Sequence, residues 1–402
     1  MNPTFVTYLE QFLGYPATNL MAAVFFLVAV SILVGVMATI GGLGTYAERK
    51  ISADIQARIG PNRVGPFGLL QMLADGVKMI LKEDIIPSKA DKLIFILAPM
   101  MAMFGVFATL AVLPFSSGLT LTDLNIGVFY VLGVGSFVGV AIFLGGYASN
   151  SKWSMLGGMR GASQIISYEI PVTLSILVAV TMAGGLSFST LVEAQTGLPH
   201  GWYLFHNPFS FIAFFVLFIG ALAETNRAPF DLPEAESELV SGYHTEYTGM
   251  RFGFFALAEY VEVFVVCGIA AALFLGGYKV PFDLGNGEVL SNALMNIPFL
   301  KMVVPMTNGT PIFKLLGSGL GQLLQLGSFF TKTLALYYVV IWIRWTLPRL
   351  RVDTLMTLCW KYLTPIALFN LLGAATWMVV FHGKSIYQII FESGAAQAVG
   401  GH

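Results

Sequence analysis

The chain alternates long apolar stretches with shorter polar ones. Eight stretches approach or exceed the roughly 20 residues a membrane helix needs. They lie near 20–46, 93–114, 127–148, 164–185, 209–225, 254–276, 327–346 and 363–382. Between the first two the pattern changes. PNRVGPFG supplies turn residues. FGLLQMLADGVKMILKED then spaces Leu69, Leu73, Val77 and Ile80 at helical intervals, with Gln71, Asp75, Lys78 and Lys82 on the other face. This predicts an amphipathic helix over 67–83, lying in the membrane interface or against a partner. Two further polar stretches stand out, a loop over 226–253 and an insertion over 277–326. The insertion has mixed composition and suggests no chemistry. No sustained repeat runs along the chain, so an inverted-repeat transporter gains no support.

Composition points the same way. The sequence is 56% hydrophobic and 11% charged, with mean hydropathy +0.77, whereas soluble domains are about 25% charged. The expected fold is an all-α polytopic membrane protein, one membrane domain over 1–402. Its 43 glycines suit helices that approach closely in lipid. Net charge is −1, which leaves no nucleic-acid footprint. The N-terminal MNPTFVTYLEQ lacks the basic region of a cleavable leader, so the first stretch is expected to remain as a helix. Lysines and arginines are asymmetric. Sixteen of the 21 fall in or beside the first, third, fifth and seventh loops. By the positive-inside rule those loops face the cytoplasm and both termini face the periplasm.

The acids concentrate where the cations do not. Residues 224–262 hold Glu224, Asp231, Glu234, Glu236, Glu238, Glu246, Glu259 and Glu262, eight of the 22 acids in the chain. Carboxylates crowded beside a membrane resist ionising together, which is the chemistry of proton handling. A solvated acidic loop is the alternative, although Glu259 and Glu262 fall inside an apolar helical pattern. These two are three residues apart and share a helix face. Glu169 lies within the fourth span, two residues before Pro171, as a proton-carrying group or a structural hydrogen-bonded carboxyl. Glu48 and Arg49 close the first span, where Glu48 acts either as a ligand or as an interface anchor paired with Arg49 or Lys50. All these acids sit toward the cytoplasmic half, so a lateral proton path to a neighbour fits better than a wire through this chain alone.

Other chemistries are missing. The histidines, His200, His206, His244, His382 and His402, offer no pair for a haem iron. Cys267 and Cys359 form no ligand set and no disulfide framework. GGLGTYAERK clusters glycines at the end of an apolar span rather than after a strand, so it is no dinucleotide fingerprint, and no phosphate-binding loop is present. The chain is expected to bind no redox cofactor. Electrons must come from a partner or a diffusible ligand.

Four stretches carry a resemblance: AERKISADIQARIGPNRVGPFGLLQMLADGVKMILKED, ASNSKWSMLGGMRGASQIISYEIP, ETNRAPFDLPEAESELVSGYHTEYTGMRFGFFALAEY and WIRWTLPRLRVDTLMTLCWKYLTPIALFN. Together they resemble the quinone-site membrane subunit of proton-pumping respiratory complex I, the proton-translocating NADH:quinone oxidoreductase. The long insertion and the tail after about residue 383 depart from the family. The resemblance implies about eight tilted helices and an amphipathic helix. It also implies the outer part of a quinone tunnel, whose inner end belongs to neighbouring hydrophilic subunits. It makes Glu48, Arg49, Gln56, Arg58 and Phe67 tunnel-side candidates. Asp75, Glu169, Glu224, Glu234, Glu236 and Glu238 match the family's acidic path toward the antiporter-like subunits, and Asp231, Glu259 and Glu262 join them from the charge pattern. The implied partners are the other complex I subunits, which would carry FMN and iron–sulfur clusters, together with quinone and lipid; the long insertion and the charge bias point to a bacterial inner membrane. The rival readings are the related subunit of a membrane-bound hydrogenase or of a ferredoxin- or F420-dependent complex, and a free-standing ion transporter.

Overall fold

The computed structural model describes residues 19–233, 240–285 and 311–389. It is 74% helical with no strand among the described residues. The first helix, α1 (Asn19–Ile55), is followed by a 3-10 turn at Pro66–Gly68 and by α2 (Gln71–Leu81). Then come α3 (Lys92–Val112), α4 (Gly127–Ala148), α5 (Lys152–Ala183) and the short α6 (Phe188–Glu193). The chain continues through α7 (Pro208–Glu224), α8 (Gly249–Phe274), α9 (Pro311–Thr346) and α10 (Val352–Val380), whose residues Leu358–Leu363 form a π-helical segment.

Seven of these helices are long and apolar enough to cross a membrane, where the sequence led us to expect about eight. The exception is α7, which has 17 residues, about 26 Å at 1.5 Å per residue. Its start is set locally. The Asn207 side chain accepts a hydrogen bond from the Ser210 amide at 2.5 Å, the Ser210 hydroxyl accepts from the Asn207 amide at 3.2 Å, and Pro208 occupies the first helical position.

Several helices outrun their apolar stretches. α5 begins at Lys152, not near 164, because its first turns carry Lys152, Trp153, Arg160 and glycines rather than an apolar run. α8 begins at Gly249, so the polar loop is shorter than 226–253. α9 is already helical at Pro311, inside the stretch expected to be an insertion over 277–326; residues 286–310 of that stretch lie outside the described residues. The expected amphipathic helix over 67–83 divides into the turn and α2. The break follows Gly68, which has a left-handed φ.

α8 is central. It packs on α1, α2, α3, α7 and α9, while α5 packs on α4, α7 and α10. In lipid, apolar side chains gain little by leaving one apolar medium for another, so close packing must come from small residues and hydrogen bonds. The α4–α5 crossing shows this. A Cβ on Gly146 would lie 2.5 Å from the Ser154 carbonyl oxygen and 3.0 Å from Gly158 Cα. Backbone touches backbone there. At one end of the bundle, side chains link the C-terminal ends of α1, α7 and α9 and the chain around the start of α8. Phe95, Tyr168, Tyr243, Phe188, Phe274 and Phe329 are the largest fully buried aromatic side chains.

Candidate functional site

Glu169 is placed by its own helix. Pro171 has no amide hydrogen, so the Ser167 carbonyl loses its ordinary helical donor. The Cys359 thiol donates to that carbonyl at 3.0 Å instead. One residue on, the Tyr168 hydroxyl donates to the Leu355 carbonyl at 2.9 Å. These two bonds dock α5 on the start of α10, at Leu355 just before the π-helical segment and at Cys359 within it. Glu169 then lies on the opposite side, where the Ser136 hydroxyl of α4 donates to it at 2.5 Å.

Glu224, the last residue of α7, is positioned by a buried amide. The Gln164 side chain donates to the carbonyls of Ala223 at 2.7 Å and Phe230 at 2.8 Å. This holds the end of α7 against α5. Glu262 projects from the middle of α8.

The three carboxylates meet. Glu169, Glu224 and Glu262 line one cavity with Ser136 and Thr109, and its remaining wall is mostly Val, Leu, Ile and Gly from α3, α4, α5, α7 and α8. Its volume is about 80 Å³, enough for at least two waters. Three acids and two hydroxyls facing one water-sized space in an otherwise apolar wall can share hydrogen bonds through water.

A second cluster closes the charged end. The Glu48 carboxylate, 8% exposed, receives Arg227 Nη1 at 3.2 Å and also pairs with Arg344. The Arg227 guanidinium lies 4.2 Å above the Tyr260 ring. So Glu48 pairs with distant arginines and not with Arg49 or Lys50. Arg49 instead donates to Asp75 at 2.5 Å, and Gln71 donates to the same carboxylate at 3.1 Å. Asp75 therefore joins α1 to α2 and does not line the cavity. Gln56 accepts from Arg58 Nε at 2.5 Å, and Phe67 is exposed with φ 55°.

Among the remaining acids, Glu259 accepts from the Tyr243 hydroxyl at 2.6 Å, so it faces the loop while Glu262 faces the cavity. Asp231 accepts from Arg349 at 2.9 Å. Burial pushes the Asp231 carboxyl above its ordinary range, with Arg349 pulling against that. Burial likewise pushes the His244 imidazole below its ordinary value, opposed by Glu259. Glu234, Glu236 and Glu238 lie outside the described residues. Arg344, Ser136, Tyr243, Tyr260 and Gln164 carry the geometry without standing out as site residues in the sequence. Arg344 could have been flagged as a cation inside an apolar span, and the others leave no local signal.

Fold and site together define a polytopic helical membrane protein with a carboxylate-lined cavity inside the bundle and a buried carboxylate–guanidinium cluster at one end. A family model described as NADH dehydrogenase matches residues 27–375, and the chain belongs to that family. Among its relatives, an Anaeromyxobacter dehalogenans protein named as the H subunit of NADH-quinone oxidoreductase is 44% identical over 87% of this chain and 81% of its own length. A Chlorobaculum tepidum protein of the same name is 45% identical over 84% and 87%. A Rhodothermus marinus protein named NADH-quinone oxidoreductase subunit 8 is 46% identical over 84% and 92%.

Proposed function

We propose that this chain is the membrane subunit of an NADH-quinone oxidoreductase that admits quinone from the bilayer and couples its reduction to proton movement. The observation that carries the reading is the convergence of Glu169, Glu224 and Glu262, from three helices, on one cavity large enough for water. Such a set exchanges protons internally and answers to charge created close by. Quinone reduction on a neighbouring subunit creates that charge.

The entry side is the region where α1, α2 and α8 pack together. It carries Glu48, Arg49, Gln56, Arg58 and Phe67. In this reading the Glu48–Arg227–Arg344 cluster feels the charge of the reduced quinone, and the 224–262 segment passes the effect to the cavity. Glu259 and Tyr243 belong to that relay, as do Asp75, Asp231 and the acids Glu234, Glu236 and Glu238. From Glu169 the signal continues through Ser136, which supports a lateral route to an adjoining membrane subunit. The chain itself binds no metal or redox cofactor in this account; FMN and iron–sulfur clusters reside on partner subunits. The charged end faces the cytoplasm of a bacterial cell, with both termini on the far side of the inner membrane.

The test is NADH-dependent quinone reduction by the native assembly carrying Glu224→Gln or Glu262→Gln. Each variant should assemble at its normal size on a native gel and reduce quinone at least several-fold more slowly. Unaltered turnover in both would remove the cavity from the mechanism. Hydrogen evolution without any need for quinone would transfer the chain to a different class of complex.

A further inference from the structure

Helix α2 divides its surface three ways. Met72 packs against Gly42 of α1, Asp75 pairs with Arg49 and Met79 packs against Gly253 of α8, so one side faces the bundle. Leu73, Val77, Ile80 and Leu81 are 58%, 54%, 66% and 79% exposed, and form an outward apolar side. Lys78 and Lys82, one turn apart, run along the border between the two. Ala74, Val77, Lys78, Leu81 and Lys82 line an open groove there. Both lysines are exposed, and neither ammonium has an ion-pair partner among the described residues. Of the neighbouring acids, Asp75 is taken by Arg49 and Asp84 by Arg251, and Glu83, next to Lys82, is exposed.

The depth of α2 in the bundle is set at both ends. The Tyr46 hydroxyl and Arg49, where the apolar run of α1 gives way to charge, hold the Phe67 carbonyl and Asp75. After the helix, Ile85 donates to the Thr248 hydroxyl at 3.0 Å and Asp84 pairs with Arg251 at 3.2 Å, at the very start of α8. The helix therefore lies where membrane spans end. Its apolar side is at the depth of acyl chains and its lysine row at the depth of headgroups.

We propose that the groove along Val77, Lys78, Leu81 and Lys82 is a binding site for an anionic phospholipid. The headgroup phosphate sits between the two ammonium groups and an acyl chain runs over Val77 and Leu81. Charge complementarity selects the occupant. A zwitterionic lipid offers the same apolar chain but no net charge for the lysines. Two lysines at a membrane surface favour an anionic lipid on the order of tenfold.

The site is tested on the native assembly in nanodiscs holding a trace of photoactivatable lipid, with crosslinks mapped by mass spectrometry. Phosphatidylglycerol with a diazirine near the top of its acyl chain should label residues 74–82 on the order of tenfold more than the matching phosphatidylcholine. Lys78→Gln with Lys82→Gln should abolish the preference, and Lys78→Arg with Lys82→Arg should keep it. Equal labelling by the two lipids, an unchanged preference in the glutamine variant, its loss in the arginine variant, or no labelling of this segment overturns the proposal. The readout is binding, so it stands or falls separately from the quinone and proton reading.

Discussion

Glu48 joins three parts of the chain that are far apart in sequence. Its carboxylate is buried, and two guanidinium groups share it. Removing the shared anion leaves two guanidinium groups facing each other, with Tyr260 and Glu259 as remaining neighbours of Arg227. Glu48→Gln should therefore destabilise strongly, by about 3–5 kcal/mol, as uncompensated buried charges do. Arg227→Met leaves the Glu48–Arg344 pair intact and should cost less. Thermal inactivation midpoints of the two assemblies give the order directly, and the reverse order would show that the cluster is not held by Glu48. Sequence reasoning reaches these residues only singly. It marks Glu48 as unusual and Arg344 as a cation at a helix end, but pairing 48 with 227 and 344 depends on helix packing that no local pattern encodes. Near neighbours Arg49 and Lys50 are the natural partners to expect.

His244 supplies a pH test at the same scale. Its imidazole lies against the rings of Tyr243 and Phe252, and burial keeps it below its ordinary value. The folded chain then binds fewer protons than the unfolded chain below about pH 6.5. The stability this contributes is present above that pH and lost as pH falls through the lowered value. His244→Phe should flatten the acid side of the stability profile between pH 7.5 and pH 5, measured as melting temperature. Identical slopes in the two proteins would contradict this.

Among the elements, the α5 start shows how glycine permits a contact. A Cβ on Gly157 would fall 2.7 Å from the Tyr243 backbone nitrogen and 2.8 Å from Gly242 backbone carbons. Backbone cannot yield as a side-chain tip does. Gly157→Ala should push the 242–244 turn away from α5, at a cost of about 1–3 kcal/mol, and weaken the Tyr243–Glu259 hydrogen bond. The expected outcome is a lower melting temperature together with slower quinone reduction. An unchanged melting temperature would mean that this contact does not hold the turn. Apolar periodicity is enough to read the division of α2 into an apolar and a polar side. Hydropathy cannot register where α5 begins, because Lys152, Trp153, Arg160 and several glycines continue a helix without continuing an apolar run. Nor can charge counting separate Glu262 from Glu259; the hydroxyl of Tyr243, sixteen residues away, turns one toward the loop while the other meets the cavity.

Across the whole molecule, charged groups divide by position. One end collects the arginine–carboxylate pairs, and the interior holds a cavity that receives one carboxylate each from α5, α7 and α8. The acidity of the 224–262 stretch is plain from composition, yet only Glu224 and Glu262 of its described acids reach the cavity. Glu169 comes from a helix that precedes this stretch in the chain. Coupling between the two regions is the central claim, and it is tested most directly by the proton-to-electron ratio of the assembly in sealed proteoliposomes. With NADH as donor and quinone as acceptor, Glu262→Gln should assemble normally and pump fewer than half as many protons per quinone reduced as the parent. A Glu262→Gln assembly that pumps the parental number of protons per quinone would contradict the account.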